Sequence, residues 1–187
     1  MSNDEHFGKR DQEEDYFQRQ DRELIERMRK AAAKEALGPL VAESGIQDPD
    51  LLRDLADLGF TADTVSLLPL VPILQVAWAE GAITPAERTL IIDVARHRGI
   101  AEGSPADRQL GEWLAHQPPP DVFSRGDRLV AAMLAAHSNA THDLSADDLV
   151  KYCETIAAAS GGILGLGKVS SGERAAIDLI QKALQSR

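Results

Sequence analysis

Little but apolar packing can hold this chain together. It has one cysteine, Cys153, so an internal disulfide is excluded. That residue sits in an apolar helical run, which points to a buried reduced thiol rather than a catalytic thiolate. Aromatic residues make up only 4% of the chain while Ala and Leu dominate, a balance that favours helix-on-helix packing over a β-rich core. No stretch alternates with period two, so no sheet is expected. Positive charge is also scarce. Lys and Arg number 20 against 30 Asp and Glu, a formal net charge of -10. Such a surface repels phosphate backbones and anionic lipid and argues against nucleic-acid partners. Long apolar runs are missing too. The longest, around residues 65–79, is too short and too interrupted by proline to insert in a membrane. The opening Met-Ser-Asn-Asp-Glu-His holds no apolar signal-type region, and the expectation is a cytoplasmic protein.

What remains is an apolar fraction of 43% in 187 residues, enough for one domain and an appendage. A body of roughly 140 residues buries about two-thirds of its unfolded surface and needs no disulfide or metal staple. The pattern divides the chain into an extended charged helix over 1–37, a connector over 38–47 and a helical domain over 48–187. The expected fold class is all-α, with a compact bundle of about seven helices after the first.

The first segment is the most unusual. From residue 9 to 36 it reads as one long helix of charged, amidated and aromatic residues. Asp15 with Arg19, Glu23 with Arg27, and Glu26 with Lys30 are acid-before-base pairs at i,i+4, the favoured orientation. Acidic residues gather at its start and basic ones at its end, which suits the helix dipole. Phe17, Leu24 and Met28 form one narrow stripe with Ile25 beside it, narrower than a core-facing helix shows. Gly38-Pro39 is expected to end this helix.

The body shows helix starts and a repeat. Asp48-Pro49 opens a short helix that Gly59 closes. A further helix is expected over about 66–79, beginning late or kinking at Pro69 and Pro72. Residues 81–91 read G-A-I-T-P-A-E-R-T-L-I, and residues 167–177 read G-K-V-S-S-G-E-R-A-A-I. Gly, the β-branched residue, the hydroxyl, Glu, Arg and the last Ile fall in register. Residues 142–149 give a looser third copy. Each copy predicts a capping box: Thr84 with Glu87, Ser170 with Glu173, and Ser145 with Asp148. Ser104-Pro105-Ala106-Asp107 is a similar helix start.

Several constellations invite chemistry. Gly162 to Ser170 nearly spells a phosphate-binding loop, but the hydroxyl comes one position late and a helical segment precedes it where a strand is required. His137 and His142 flank a loop with Asn139 and Asp143, too few convergent ligands for zinc. No nucleophile elbow or local Ser-His-Asp set stands out, so the reading is of a protein that is not an enzyme and has no obligatory cofactor.

The run over residues 71–100, VPILQVAWAEGAITPAERTLIIDVARHRGI, resembles the TerB-like (tellurite-resistance-associated) family, with the resemblance extending over about residues 60–187. Those domains carry an apolar helix ending in a small-residue-Asp-Gly step and then a capped helix with a Glu. The resemblance implies a compact helical fold with internal pseudo-symmetry, a stress-associated role and no reaction. Some family members are thought to bind cations through acidic loop residues. Here Glu80 stands where Asp is usual, and Glu87 matches the helix-start Glu. Glu80 and Glu87 are thus the candidate divalent-cation ligands, while a capping box alone also accounts for Glu87.

The segment FGKRDQEEDYFQRQDRELIERMRK resembles the inhibitory segment of the mitochondrial ATPase inhibitor family. The matching positions are Phe7, Lys9, Arg10, Asp11, Glu14, Tyr16, Phe17, Arg19, Glu23 and Leu24. In that family the helix inserts at a catalytic interface of the F-type ATPase and stops hydrolysis. Here the spacer between Lys9-Arg10 and Tyr16-Phe17 is shorter by one or two residues, and a globular domain replaces the family's C-terminal coiled coil. The resemblance implies a regulatory binding protein with a protein partner, an F-type ATPase in its sharpest form. Phe7, Lys9, Arg10, Tyr16, Phe17, Arg19, Glu23, Leu24 and Met28 are the candidate docking residues. A solvated or self-docking charged helix is the competing reading.

Overall fold

The structure, a computed structural model, describes residues 20, 24, 25, 27, 28, 35, 37–137, 145–160 and 169–185. Helices and turns account for the regular structure of these residues and no strand occurs among them, so the fold is all-α. The chain divides into two compact units, residues 1–39 and 40–187.

In the first unit residues 20, 24, 25, 27, 28, 35 and 37–39 are helical. The other positions of the expected long helix lie outside the described residues. The stop expected at Gly38-Pro39 does not occur, because residues 37–44 are helical. The turn comes instead at Gly45, at φ 70, with its N–H donating to the Val41 carbonyl at 2.9 Å. The expected connector over 38–47 is therefore largely structured. Leu40 and Ile46 are buried. Ser44 is buried as well, its hydroxyl donating to the Leu40 carbonyl at 2.6 Å and accepting from the Ile46 N–H at 3.2 Å. Burial of these side chains rewards continuing the helix past the proline.

The second unit begins with helical residues 40–44 (α1) and α2 (Pro49–Asp57). As expected, Asp48 caps α2, accepting from the Asp50 and Leu51 N–H groups, and Pro49 fills its first position. Gly59, at φ 84, closes it, and the Phe60 N–H reaches back to the Leu55 carbonyl at 3.0 Å. The expected single helix over 66–79 is two elements. A 3-10 helix spans Val65–Leu70 with Pro69 inside it, and α3 (Val71–Ala77) follows with Pro72 in its first turn. The prolines lack the N–H that a longer α-helix needs, so the tighter helix carries the chain until α3 can start.

Every residue of α3 is buried except Gln75, which is half-buried. Around it pack α4 (Pro85–His97), α6 (Pro120–His137), α7 (Ala146–Ser160) and α8 (Ser171–Gln185). The approach of α6 depends on a glycine. A Cβ at Gly126 would meet Val71 Cγ1 at 2.6 Å. Helix α5 (Pro105–Ala115) joins the unit through Trp113, whose carbonyl accepts from Trp78 Nε1 at 2.9 Å and whose ring meets Phe60 edge-on at 5.8 Å. Arg125 of α6 forms a salt bridge with Asp54 of α2.

Candidate functional site

The repeat places its two glutamates in equivalent local structures. At the start of α4 the Thr84 N–H donates to Glu87 Oε2 at 2.7 Å, and the Glu87 N–H donates to Thr84 Oγ1 at 3.3 Å. At the start of α8 the Ser170 N–H donates to Glu173 Oε2 at 2.7 Å, and the Glu173 N–H donates to Ser170 Oγ at 3.2 Å. The third copy forms the same pair of bonds between Ser145 and Asp148, at 3.3 and 3.1 Å, on the surface. All three capping boxes read from sequence are present. Ser104 caps α5 by accepting from the Asp107 N–H at 3.0 Å, but Asp107 turns to the Gly103 N–H and to Arg96 instead of completing a box.

Glu87 and Glu173 are both 1% exposed. Buried carboxylates are uncommon unless paired or hydrogen-bonded. Burial pushes the Glu87 carboxyl above the usual range, the bonds from Thr84 oppose this, and the charges of Glu173 and Glu80 add to the rise. The other two acids, Glu173 and Glu80, thus lie within electrostatic reach of Glu87. The start of α8 packs closely on the turn after α3, where a Cβ on Gly172 would stand 3.4 Å from the Ala79 carbonyl oxygen. Glu80 itself is exposed on the turn after α3. Among the described residues no group of three or more His, Cys, Asp or Glu side chains is arranged to hold a metal ion. The expected ligands Glu80 and Glu87 are neighbours electrostatically, while Glu87 gives a carboxylate oxygen to its own helix cap. Sequence reasoning did not single out Glu173 as a third member. Its signal was the register of the two repeats, which made Glu173 the counterpart of Glu87.

Of the expected docking residues, Leu24 and Met28 are described. They are helical and 51% and 64% exposed, with Ile25 beside them at 49%. Among the second unit's described residues Leu179 is the one large apolar side chain similarly exposed. Phe7, Lys9, Arg10, Tyr16, Phe17, Arg19 and Glu23 lie outside the described residues.

The remaining candidates are structural where they are described. Cys153 is buried and its thiol is pushed up to about 12, first by burial and then by the charges of Asp127 and Glu154, so at neutral pH it carries no thiolate. His137 lies against the close turn at Gly45, its Nδ1 in hydrogen-bond contact with the Met133 carbonyl at 2.9 Å. His142, Asn139 and Asp143 lie outside the described residues, as does the whole glycine-rich stretch 162–168. The element preceding that stretch is the helix α7, not a strand, and Ser170 caps α8. No helix among the described residues is long and apolar enough to cross a membrane.

No protein-family model matches the chain, and no curated protein or solved structure matches it either.

Proposed function

We propose that the chain is a non-catalytic regulatory protein that docks onto a protein partner through its N-terminal helix, with the helical body as its scaffold. The observation that carries this reading is the exposed apolar strip of Leu24, Ile25 and Met28 on helical residues. Three large apolar side chains within five positions, each about half exposed, gain about 1 kcal/mol apiece when a groove completes their burial. The flanking charges of Arg10, Arg19 and Glu23 would select the groove by forming ion pairs at its rim. In its sharpest form the partner is an F-type ATPase, on the resemblance of Phe7 to Leu24 to the inhibitory segment described above, and the body is a TerB-like domain.

The test is ATP hydrolysis by a bacterial F-type ATPase titrated with the full chain, with a Phe17→Ala/Arg10→Ala variant and with a Leu24→Ala/Met28→Ala variant. The expected result is inhibition by the parent chain that each variant weakens by about tenfold or more. No inhibition at saturating protein would overturn the ATPase form of the proposal.

A second reading, a divalent-cation module in the body, is favoured by one observation. The charges of buried Glu173 and of exposed Glu80 both bear on buried Glu87. A cation held there would raise the melting temperature in millimolar calcium. An unchanged melting temperature would dispose of it.

A further inference from the structure

Helices α4 and α7 leave a groove of about 310 Å³ between them, at the small end of the range of ligand pockets. Its apolar lining comes from Leu90 and Val94 of α4 and Ile156 of α7, and its polar lining includes Asp93 and His97 of α4 and Tyr152 of α7. We propose that this groove binds a small organic cation, an ammonium group carried on an aromatic or aliphatic body. The inference rests on neither the docking reading nor the divalent-cation reading, since it uses other residues.

The repeat identifies the groove as a gap in the packing. In register, Leu90 and Val94 of the first copy match Ala176 and Ile180 of the second. Ala176 and Ile180 are buried, on a helix against which α3, α6 and α7 pack. Leu90 and Val94 are half-buried. One face of the repeat is thus closed in α8 and open in α4, and an apolar body that completes its burial gains from leaving water.

Charge and hydrogen bonding decide what that body carries. Asp93 is exposed, and among the described residues its carboxylate forms no ion pair. His97 holds Nδ1 at 2.8 Å from the Asp93 carbonyl oxygen. A carbonyl only accepts, so in the neutral ring the proton sits on Nδ1 and Nε2 is left as an acceptor. A carboxylate and an imidazole nitrogen one helical turn apart both call for a donor, and an ammonium group carries several. Tyr152 adds an aromatic ring, which also favours a cation. An anionic ligand would meet Asp93 with like charge, and the net charge of -10 turns anions away at long range. Because Asp93 is exposed, water and salt screen the attraction and binding is weak.

Amide NMR titration of the full chain at neutral pH tests this, with 2-phenylethylamine as the cationic probe. The neutral 2-phenylethanol and the anionic 3-phenylpropanoate serve as probes of similar size. The expected result is saturable shifts at residues 90–97 and 152–156, with a dissociation constant of about 1 mM for the amine. The alcohol should bind about fivefold more weakly and the anion more weakly still. Asp93→Asn should bring the amine down to the affinity of the alcohol and leave the alcohol unchanged. Val94→Ala should weaken amine and alcohol alike, which an ion pair with Asp93 alone would not do. No shift at these residues in about 20 mM amine would overturn the proposal. So would an alcohol that binds as well as the amine, or an Asp93→Asn variant that binds the amine as tightly as the parent. Shifts at the same residues that grow with protein concentration and without amine would overturn it too, by putting a second copy in the groove.

Discussion

Helix α3 and the helical residues of the first unit use apolar side chains in opposite ways. In α3 the sequence VPILQVA is buried at every position but Gln75, and four other helices pack around it. Around residues 24–28 the apolar side chains are few and each is about half exposed or more. A helix apolar all round is a core helix, whereas a charged helix with one narrow apolar strip has too little surface to hold itself and gains from a partner. The difference assigns stability to the body and, on the function proposed above, recognition to the first unit.

The strongest way to break that assignment is to truncate one leucine from each region. Leu74→Ala in α3 should lower the unfolding free energy by about 3 kcal/mol in urea titrations, through lost burial and a residual cavity. Leu24→Ala should change it by less than about 0.5 kcal/mol. Comparable losses at the two positions would mean that Leu24 is a core residue and that the division is wrong. Gly126→Ala comes next. The new methyl would crowd the β-branched Val71, so the variant should lose about 1–2 kcal/mol although alanine is the better helix former.

A smaller effect of opposite sign is expected at Asp127. Its Oδ1 is buried without a hydrogen-bond partner, and burial raises its carboxyl to about 6. The folded state therefore holds the proton more tightly than the unfolded chain. This contribution is full below the unfolded value and is lost as pH rises through about 6. Glu87 is shifted in the same direction. The Gly103 N–H and then Arg96 lower Asp107, and Ser145 lowers Asp148, so their contribution is present above the unfolded value and is lost as pH falls through their folded values. Melting temperature should accordingly fall as pH rises from 5 to 7.5. Asp127→Asn should flatten that slope and stabilise the body by about 1–2 kcal/mol at the upper pH. An unchanged slope would place the burial cost elsewhere. The smallest effect belongs to the caps. Thr84→Ala, with its partner Glu87 buried, should cost about 1 kcal/mol, and Ser145→Ala on the surface less.

Much of the body was legible in the sequence because its signals are local. Asp48 with Pro49, Thr84 with Glu87, Ser170 with Glu173 and Ser145 with Asp148 each set a helix start through hydrogen bonds within four residues, and all four form. What failed depended on burial or packing that the local signals do not carry. Gly38-Pro39 looked like a stop, but buried Leu40 and Ile46 carry the chain on to Gly45. The prolines at 69 and 72 signalled a disturbed helix without revealing that a 3-10 stretch would absorb it. The nearness of Glu173 to Glu87 needed the packing of α8 beside the end of α3, which no local pattern encodes. At the first segment the sequence exposed the apolar strip directly, since an under-filled stripe is itself a pattern.

The account rests on that division between a self-sufficient body and a segment kept for binding. Calorimetry of the full chain beside residues 37–187, both dilute, tests it most directly. The account predicts that the two melting temperatures agree within about 2 °C. A fall of more than about 5 °C on removing the first segment, near 1 kcal/mol or more of lost stability, would show that its apolar side chains belong to the core and contradict the account.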